Sequence, residues 1–316
     1  MERGRFVVNA INGLEAGKQV DTYTGTQIHT RTLADSWIWA RLQQLIRDVE
    51  HLFQTFQYGE AGRQIYEFFW NDFADWYVEI AKGQMQNAES RTQTVETLAR
   101  VLDISMRLLH PFTPFVTEEL WGHLRTAVGQ NAILSRLAAD WPDALIVAKW
   151  PEPREPEGWE ESKIADFTLI QEIVRSIRNL RAEKNAPMSK KLAAAIVGGA
   201  KTELLQSQSD VIAALAALDT SQLSIVESLS AKPEGATTLV VGAVEIHIPL
   251  AGMVDESAER ERLSKELAEA ESHIARLAKL LSSDFANKAP APVVAKEREK
   301  LAGFKETAEK LKAQLG

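Results

Sequence analysis

No cysteine occurs anywhere in these 316 residues, which excludes disulfides, thiolate zinc sites and cysteine nucleophiles and fits a reducing compartment. Histidine is scarce as well. The six (His29, His51, His110, His123, His247, His273) are scattered, no pair has the spacing of a helical metal site, and no metal is expected. No apolar run approaches the roughly 20 residues that cross a bilayer. The opening Met1-Glu-Arg-Gly-Arg-Phe-Val-Val lacks the long apolar region and cleavage site of a signal peptide. A cytoplasmic chain with no membrane partner is expected.

With 45% hydrophobic and 25% charged residues, the composition is that of an ordinary globular protein long enough for two or three domains. The net charge of −8 speaks against indiscriminate phosphate binding, which draws on local Lys and Arg. Its distribution is uneven. Residues 255–316 carry 12 basic and 12 acidic side chains, so the whole deficit lies in residues 1–254. Such a body can still bind RNA through a few basic and aromatic patches; DNA is not an expected partner.

Periodicity divides the chain. From Leu33, the residues Trp37, Ile38, Leu42, Leu45, Val49 and Leu52 recur at three- and four-residue steps and predict an amphipathic helix. Helices are also expected over about 60–82, rich in rings (Tyr66, Phe68, Phe69, Trp70, Phe73, Trp76, Tyr77), over about 90–109, and from Thr113 or Pro114 onward. Met1 falls inside what reads as a continuing helix (Phe6, Val7, Val8, Ile11, Leu14), so more chain is expected ahead of it. Long helices with short connections imply an antiparallel bundle. Residues 126–158, with Trp141-Pro142 and Trp150-Pro151-Glu152-Pro153, read as a linker packed over it. Another helix is expected over 160–185, striped by Phe167, Ile170, Ile173, Val174, Ile177 and Leu180.

The period then changes. Strands near 192–197, 223–227, 237–241 and 244–250, with a helix near 202–218 and a glycine turn at Gly242, predict a small α/β domain. Beyond it, Leu263, Leu267, Ala270, Ile274, Leu277 and Leu281 step by four and three, and Val294, Leu301, Phe304, Ala308, Leu311 and Leu315 continue the pattern. The breaker Ser282-Ser283-Asp284-Phe285-Ala286-Asn287-Lys288-Ala289-Pro290-Ala291-Pro292 folds the two helices back as an antiparallel coiled-coil arm roughly 40 Å long. The expected fold is therefore mainly α: a helical bundle over 1–189, a small α/β domain over 190–254 and a coiled-coil arm over 255–316.

Patterning alone stops short of a function, but particular runs carry a resemblance. Leu33-Ala-Asp-Ser-Trp-Ile, Phe68-Phe-Trp-Asn-Asp-Phe-Ala-Asp-Trp-Tyr77, His110-Pro-Phe-Thr-Pro-Phe-Val-Thr-Glu-Glu-Leu-Trp121 and Ile177-Arg-Asn-Leu-Arg-Ala-Glu183 resemble the anticodon-binding bundle of class I aminoacyl-tRNA synthetases. The tip Leu281 to Val294 is similar to the hairpin of the valyl-tRNA synthetase family, absent from its isoleucine, leucine and methionine relatives. The resemblance spans essentially the whole chain. It implies a tRNA-binding C-terminal part of a larger enzyme that joins valine to tRNA(Val) with ATP. No His-Ile-Gly-His element, glycine-rich phosphate loop or alternating βα pattern is present, so no catalytic residue and no cofactor are expected within this stretch. Met188-Ser189-Lys190-Lys191 is similar to the class's lysine-rich ATP loop, but follows a helix in a tRNA-binding region and lacks a partner motif.

Single-stranded RNA is read by stacking bases on rings beside amides and cations. Phe56, Gln57, Tyr58 and Arg63, at the junction of two bundle helices, offer that mixture, although Gln57 and Gly59 stand where the family usually has arginine and asparagine. Trp76 and Tyr77, with Lys82 nearby, are further expected RNA neighbours, most of the other rings of 68–77 being assigned to the core. Arg175, Arg178, Arg181 and Lys184 repeat every three residues as a basic ridge able to hold phosphates or to pair with acid. On the arm, Arg260, Lys265, Arg276, Lys279, Lys288, Lys296 and Arg298 are the candidates for gripping the tRNA elbow; a solvated coiled-coil surface is the alternative. A monomer is expected. Competing readings are a coiled-coil protein-interaction module without RNA binding, and the equivalent part of an isoleucyl-type synthetase.

Overall fold

The computed structural model describes residues 2–14, 32–230, 233, 235–249, 256–282 and 291–315. Helices α1 (Glu2–Asn12), α2 (Leu33–Gln54), α3 (Tyr58–Glu67), α4 (Val78–Gln84), α5 (Ala88–Leu109), α6 (Pro114–Gln130) and α7 (Glu160–Glu183) build the bundle. Thr32 caps α2, its hydroxyl accepting from the Asp35 amide at 3.1 Å. The apolar stripe of α2 is buried as its spacing predicts, and Trp37 stacks on Phe167 of α7 with centroids 4.1 Å apart. Two buried carboxylates are paired across the bundle: Tyr77 donates to Asp35 at 2.5 Å, and the Trp121 indole donates to Asp103 at 2.7 Å beside the Arg107 guanidinium at 2.9 Å.

One element departs from the expected helix. Between α3 and α4 the ring-rich run Phe68–Tyr77 is a π-helix, wider than an α-helix, so that successive turns slip by a residue. This column packs Phe68, Phe73, Trp76 and Tyr77 inward and leaves Tyr66 and Trp70 exposed.

The expected linker over 126–158 begins later than its composition suggests, since α6 runs on to Gln130, and residues 131–158 are strapped to the bundle. The Glu118 carboxylate accepts from the Leu145 and Ile146 amides at 2.7 and 3.1 Å, Trp141 stacks on Trp121 with centroids 5.6 Å apart, and the Arg154 guanidinium lies 5.4 Å from the Trp39 ring.

Strands β1 (Leu192–Val197), β2 (Leu218–Val226), β3 (Ala236–Val241) and β4 (Val244–Pro249) form a mixed sheet in the order β2-β1-β4-β3. Helices α8 (Thr202–Ser207) and α9 (Ser209–Ala216) connect the parallel pair β1 and β2. The β3–β4 hairpin turns at Gly242, whose φ of +57° is the left-handed geometry that favours glycine. The expected helix over 202–218 is two helices, and β2 starts at Leu218, five positions before the expected strand; its polar run Asp219–Gln222 lies on an open edge that composition does not mark as strand. Leu192, Ala194, Ile196, Val244, Ile246 and Ile248 point to the helices and join the bundle's residues in one hydrophobic core.

The junction contains a buried charge. Arg181, only 1% exposed, donates to the carbonyls of Ala217 at 3.3 Å, Lys190 at 2.6 Å and Pro187. Arg178 donates to the Leu215 carbonyl at 2.8 Å. Leu215 and Ala217 mark the end of α9, where unpaired carbonyls and the helix dipole favour a cation. The Met188–Lys191 segment is accordingly a turn wrapped over Arg181.

Helices α10 (Glu256–Leu281) and α11 (Ala291–Leu315) pack on each other and bury Ala270, Leu277, Val294 and Ala308. His273 stacks on Phe304 at 4.8 Å, and Lys312 pairs with Glu271 at 2.7 Å. The breaker at 283–290 lies outside the described residues.

Replacing Arg181 with Ala removes its bonds to three carbonyls, of which Ala217 and Pro187 keep the backbone donors Leu192 and Lys190, and a stability loss on the order of 3 kcal/mol is expected from a urea unfolding curve. Arg181→Lys should recover only part of it, since an ammonium lacks the planar fork that reaches separated acceptors.

Candidate nucleic-acid interface

The ends of α2 and α5 and the starts of α3 and α6 share one end of the bundle. Helix α2 closes with paired reverse bonds, the Phe56 amide donating to Phe53 at 3.1 Å and the Gln57 amide to Leu52 at 2.8 Å, and this closure puts Phe56 at φ 58°. The turn displays rings. Phe53 lies 5.3 Å from Tyr58, 5.3 Å from Trp150 and 6.2 Å from Phe112, and Phe56 lies edge-on to Tyr58 at 6.3 Å. Phe56 is 78% exposed, Tyr58 48%, Phe112 37%, Trp150 38% and Phe115 90%. Gly62 admits Phe112, since a Cβ there would stand 3.0 Å from the ring. Ile146 and Val147, held beside α6 by Glu118, extend the apolar surface. A contiguous exposed patch of this kind marks a binding surface.

The expected residues Phe56, Gln57, Tyr58 and Arg63 therefore gather at one place, but the charge is occupied. Arg63 is gripped by Glu60 through two bonds and by Glu67 at 2.6 Å. Bonds from Arg63, then from Gln64, lower the Glu60 carboxyl from its ordinary 4.5 to about 2. The Gln57 amide donates to the Thr55 hydroxyl at 3.0 Å. What these residues offer is ring faces and backbone, with the Arg63 cation already neutralised.

Trp76 and Lys82 are not part of this cluster, and Tyr77 is fully buried in the bundle core, where it donates to Asp35. Lys82 follows Tyr58 by 24 positions along the continuous α3–π–α4 column, roughly 30 Å away. Trp76 is 7% exposed and lies under the guanidinium groups of Arg175 and Arg178, at 5.3 and 5.6 Å. It is a platform for arginines rather than for bases. Lys82 is exposed but sits 2.8 Å from Glu79. The basic ridge of α7 is likewise corrected: Arg181 is buried and Arg178 bonds to α9, leaving Arg175, stacked on Trp76, and exposed Lys184. A stripe of arginines reads the same whether it faces phosphates or the carbonyls of a neighbouring helix.

On the arm, Lys265, Arg276, Lys279, Lys296 and Arg298 are all exposed. Lys288 and the side chain of Arg260 lie outside the described residues. Sequence reasoning misses Phe112, Phe115 and Trp150 as surface rings. Their segments are recognisable as motif or linker, and no periodic pattern separates a displayed ring from a packed one.

Comparison with known proteins fits this geometry. The family described as the anticodon-binding domain of tRNA ligase matches residues 35–196, and that of the valyl tRNA synthetase tRNA binding arm matches residues 255–316. A valine–tRNA ligase from Dehalococcoides mccartyi is 38% identical over 89% of this chain and 31% of its own length. Those of Carboxydothermus hydrogenoformans and Thermotoga maritima are 36% and 33% identical, over 99% and 94% of this chain and 33% and 32% of their own. The chain spans about a third of the length of the curated relatives it matches. From the match across its bundle, joined to the match across its arm, the chain belongs to the anticodon-binding domain family of tRNA ligases, in its valyl-tRNA synthetase branch.

Proposed function

We propose that this chain is the tRNA-gripping, C-terminal part of a valine–tRNA ligase. In this reading the ring-bearing end of the bundle meets the anticodon loop, and the arm braces the tRNA elbow where the D and T loops meet. Both contacts position the acceptor end of tRNA(Val) for catalysis by a part of the whole enzyme outside this stretch, where ATP would also bind. The observation that carries the reading is the cluster of exposed rings, Phe56, Tyr58, Phe112, Phe115 and Trp150, at one end of a bundle belonging to an anticodon-binding family. Stacking suits unpaired bases and is tolerant of an acidic body.

The division that goes with this reading is a bundle over 1–189, a small α/β domain over 190–254 that spaces the bundle from the arm, and the arm over 255–316. We take the arm as an antiparallel coiled-coil hairpin, supported by its heptad pattern and by the Lys312–Glu271 and His273–Phe304 contacts between the helices. Its elbow contacts would come from Lys265, Arg276, Lys279, Lys296 and Arg298. The protein is taken to act as a cytoplasmic monomer.

Titration with valine tRNA, the same tRNA with a swapped anticodon, and an unrelated tRNA, each at two salt concentrations, tests the proposal. Valine tRNA should bind best, lose affinity on anticodon exchange and weaken as added salt reduces the gain from counterion release. Absence of binding at low salt, with self-association that barely responds to salt, would instead support a coiled-coil interaction module. Replacing Arg276 and Lys279 together by Ala should weaken all tRNAs alike and flatten the salt slope by roughly one for each phosphate no longer neutralised.

Replacing Glu60 and Glu67 by Gln frees Arg63, and the salt dependence should steepen by roughly 0.7, the increment of one further phosphate neutralised on a single strand. Acidification to pH 5 should not mimic this. The Glu60 carboxyl, lowered to about 2, contributes its pairing at all pH values above its unfolded value near 4.5 and loses it only as pH falls toward 2.

A further inference from the structure

Among the described residues, three helix ends close through a non-glycine residue in the left-handed region: Asn185 after α7 at φ 51°, Ala217 after α9 at φ 54° and Phe56 after α2 at φ 58°. Two of them make the same pair of reverse bonds. Asn185 donates to Ala182 at 3.2 Å and Ala186 to Arg181 at 2.8 Å, as Phe56 donates to Phe53 and Gln57 to Leu52. Glycine and asparagine are the residues this position favours, whereas a bulky side chain there is strained. Asn185 follows the rule in an identical closure; Phe56 breaks it.

Burial does not explain the exception. Phe56 is 78% exposed, and its ring contact is an edge on Tyr58, itself half exposed. A strained residue that persists without packing points to use elsewhere. Resting on the proposed anticodon reading and going beyond it, we infer that Phe56 is a dedicated nucleobase-stacking residue, kept at the left-handed turn at the expense of fold stability. At this closure the ring stands 78% exposed. The planes of Phe56 and Tyr58 stand 84° apart with centroids at 6.3 Å, a geometry that cannot sandwich one base between parallel faces. Each ring instead presents its own face, so the two take bases that are splayed from one another, as in an unstacked loop.

The test compares Phe56→Asn, Phe56→Tyr and the unaltered 316-residue chain in thermal unfolding and in titration with an RNA hairpin carrying a valine anticodon loop. Phe56→Asn should melt at the same temperature or about 2 to 4 °C higher, as relief of strain in a domain of this size predicts. It should bind the hairpin about tenfold or more weakly, the loss of one base stacking on a ring. Phe56→Tyr should bind as the unaltered chain does. Undiminished binding by Phe56→Asn overturns the inference while leaving the anticodon reading intact. A lower melting temperature for Phe56→Asn overturns it too, because the ring would then be holding the turn. If the unaltered chain does not bind the hairpin, the anticodon reading fails and takes this inference with it.

Discussion

Helix α7 has to satisfy two neighbours at once, and the rest of the molecule follows from how it does so. One face packs on α2, where Phe167 stacks on Trp37 in the bundle core; the other meets α9 and the sheet. The second contact brings with it a helix end, α9, whose terminal carbonyls lie outside the helix's own bonding pattern. Arg178 and Arg181 meet those carbonyls, so two cations that composition assigns to solvent are used inside the fold. Because the guanidinium is a planar fork with several donors, one side chain can tie the turn at 187–190 and the end of α9 together. Bundle and sheet consequently share a continuous core although their sequence periods differ.

Where one face of an element is apolar and the other polar, the sequence is legible: α2, α7, β1, β4 and the hairpin at Gly242 lie close to where spacing puts them. The failures have a common physical origin. A π-helix over Phe68–Tyr77 needs no special residue, since its signature is a shift in bonding partner rather than a change in which residues are apolar. The start of β2 is an exposed edge with few apolar side chains, so alternation is lost there. Arg181 and Trp76 read as RNA-facing because cations and rings carry the same letters whether they face a ligand or each other. Tyr58 and Phe56 are legible through the family's motif and their place between two helices, whereas Phe115 and Trp150 emerge only when α6 and the 126–158 segment are brought to the same end.

This arrangement limits what electrostatics can contribute to recognition. The deficit of −8 lies within residues 1–254, Arg63 is paired at the bundle end, and the arm is neutral as a whole. A long-range field that gathers any polyanion is therefore absent, and affinity must come from short-range contacts whose strength depends on shape. On the proposed reading, ring faces at one end and scattered exposed cations on the arm would meet that condition as two separate contacts. Joined on one chain, the second contact forms at high effective concentration once the first is made, but only for a ligand whose two features have the matching separation. Discrimination would then reside as much in the distance between the sites as in either site. On that reading the small sheet would have a physical role, because a spacer locked into the bundle core by Arg181 would hold its own end of that distance fixed where a flexible linker would blur it.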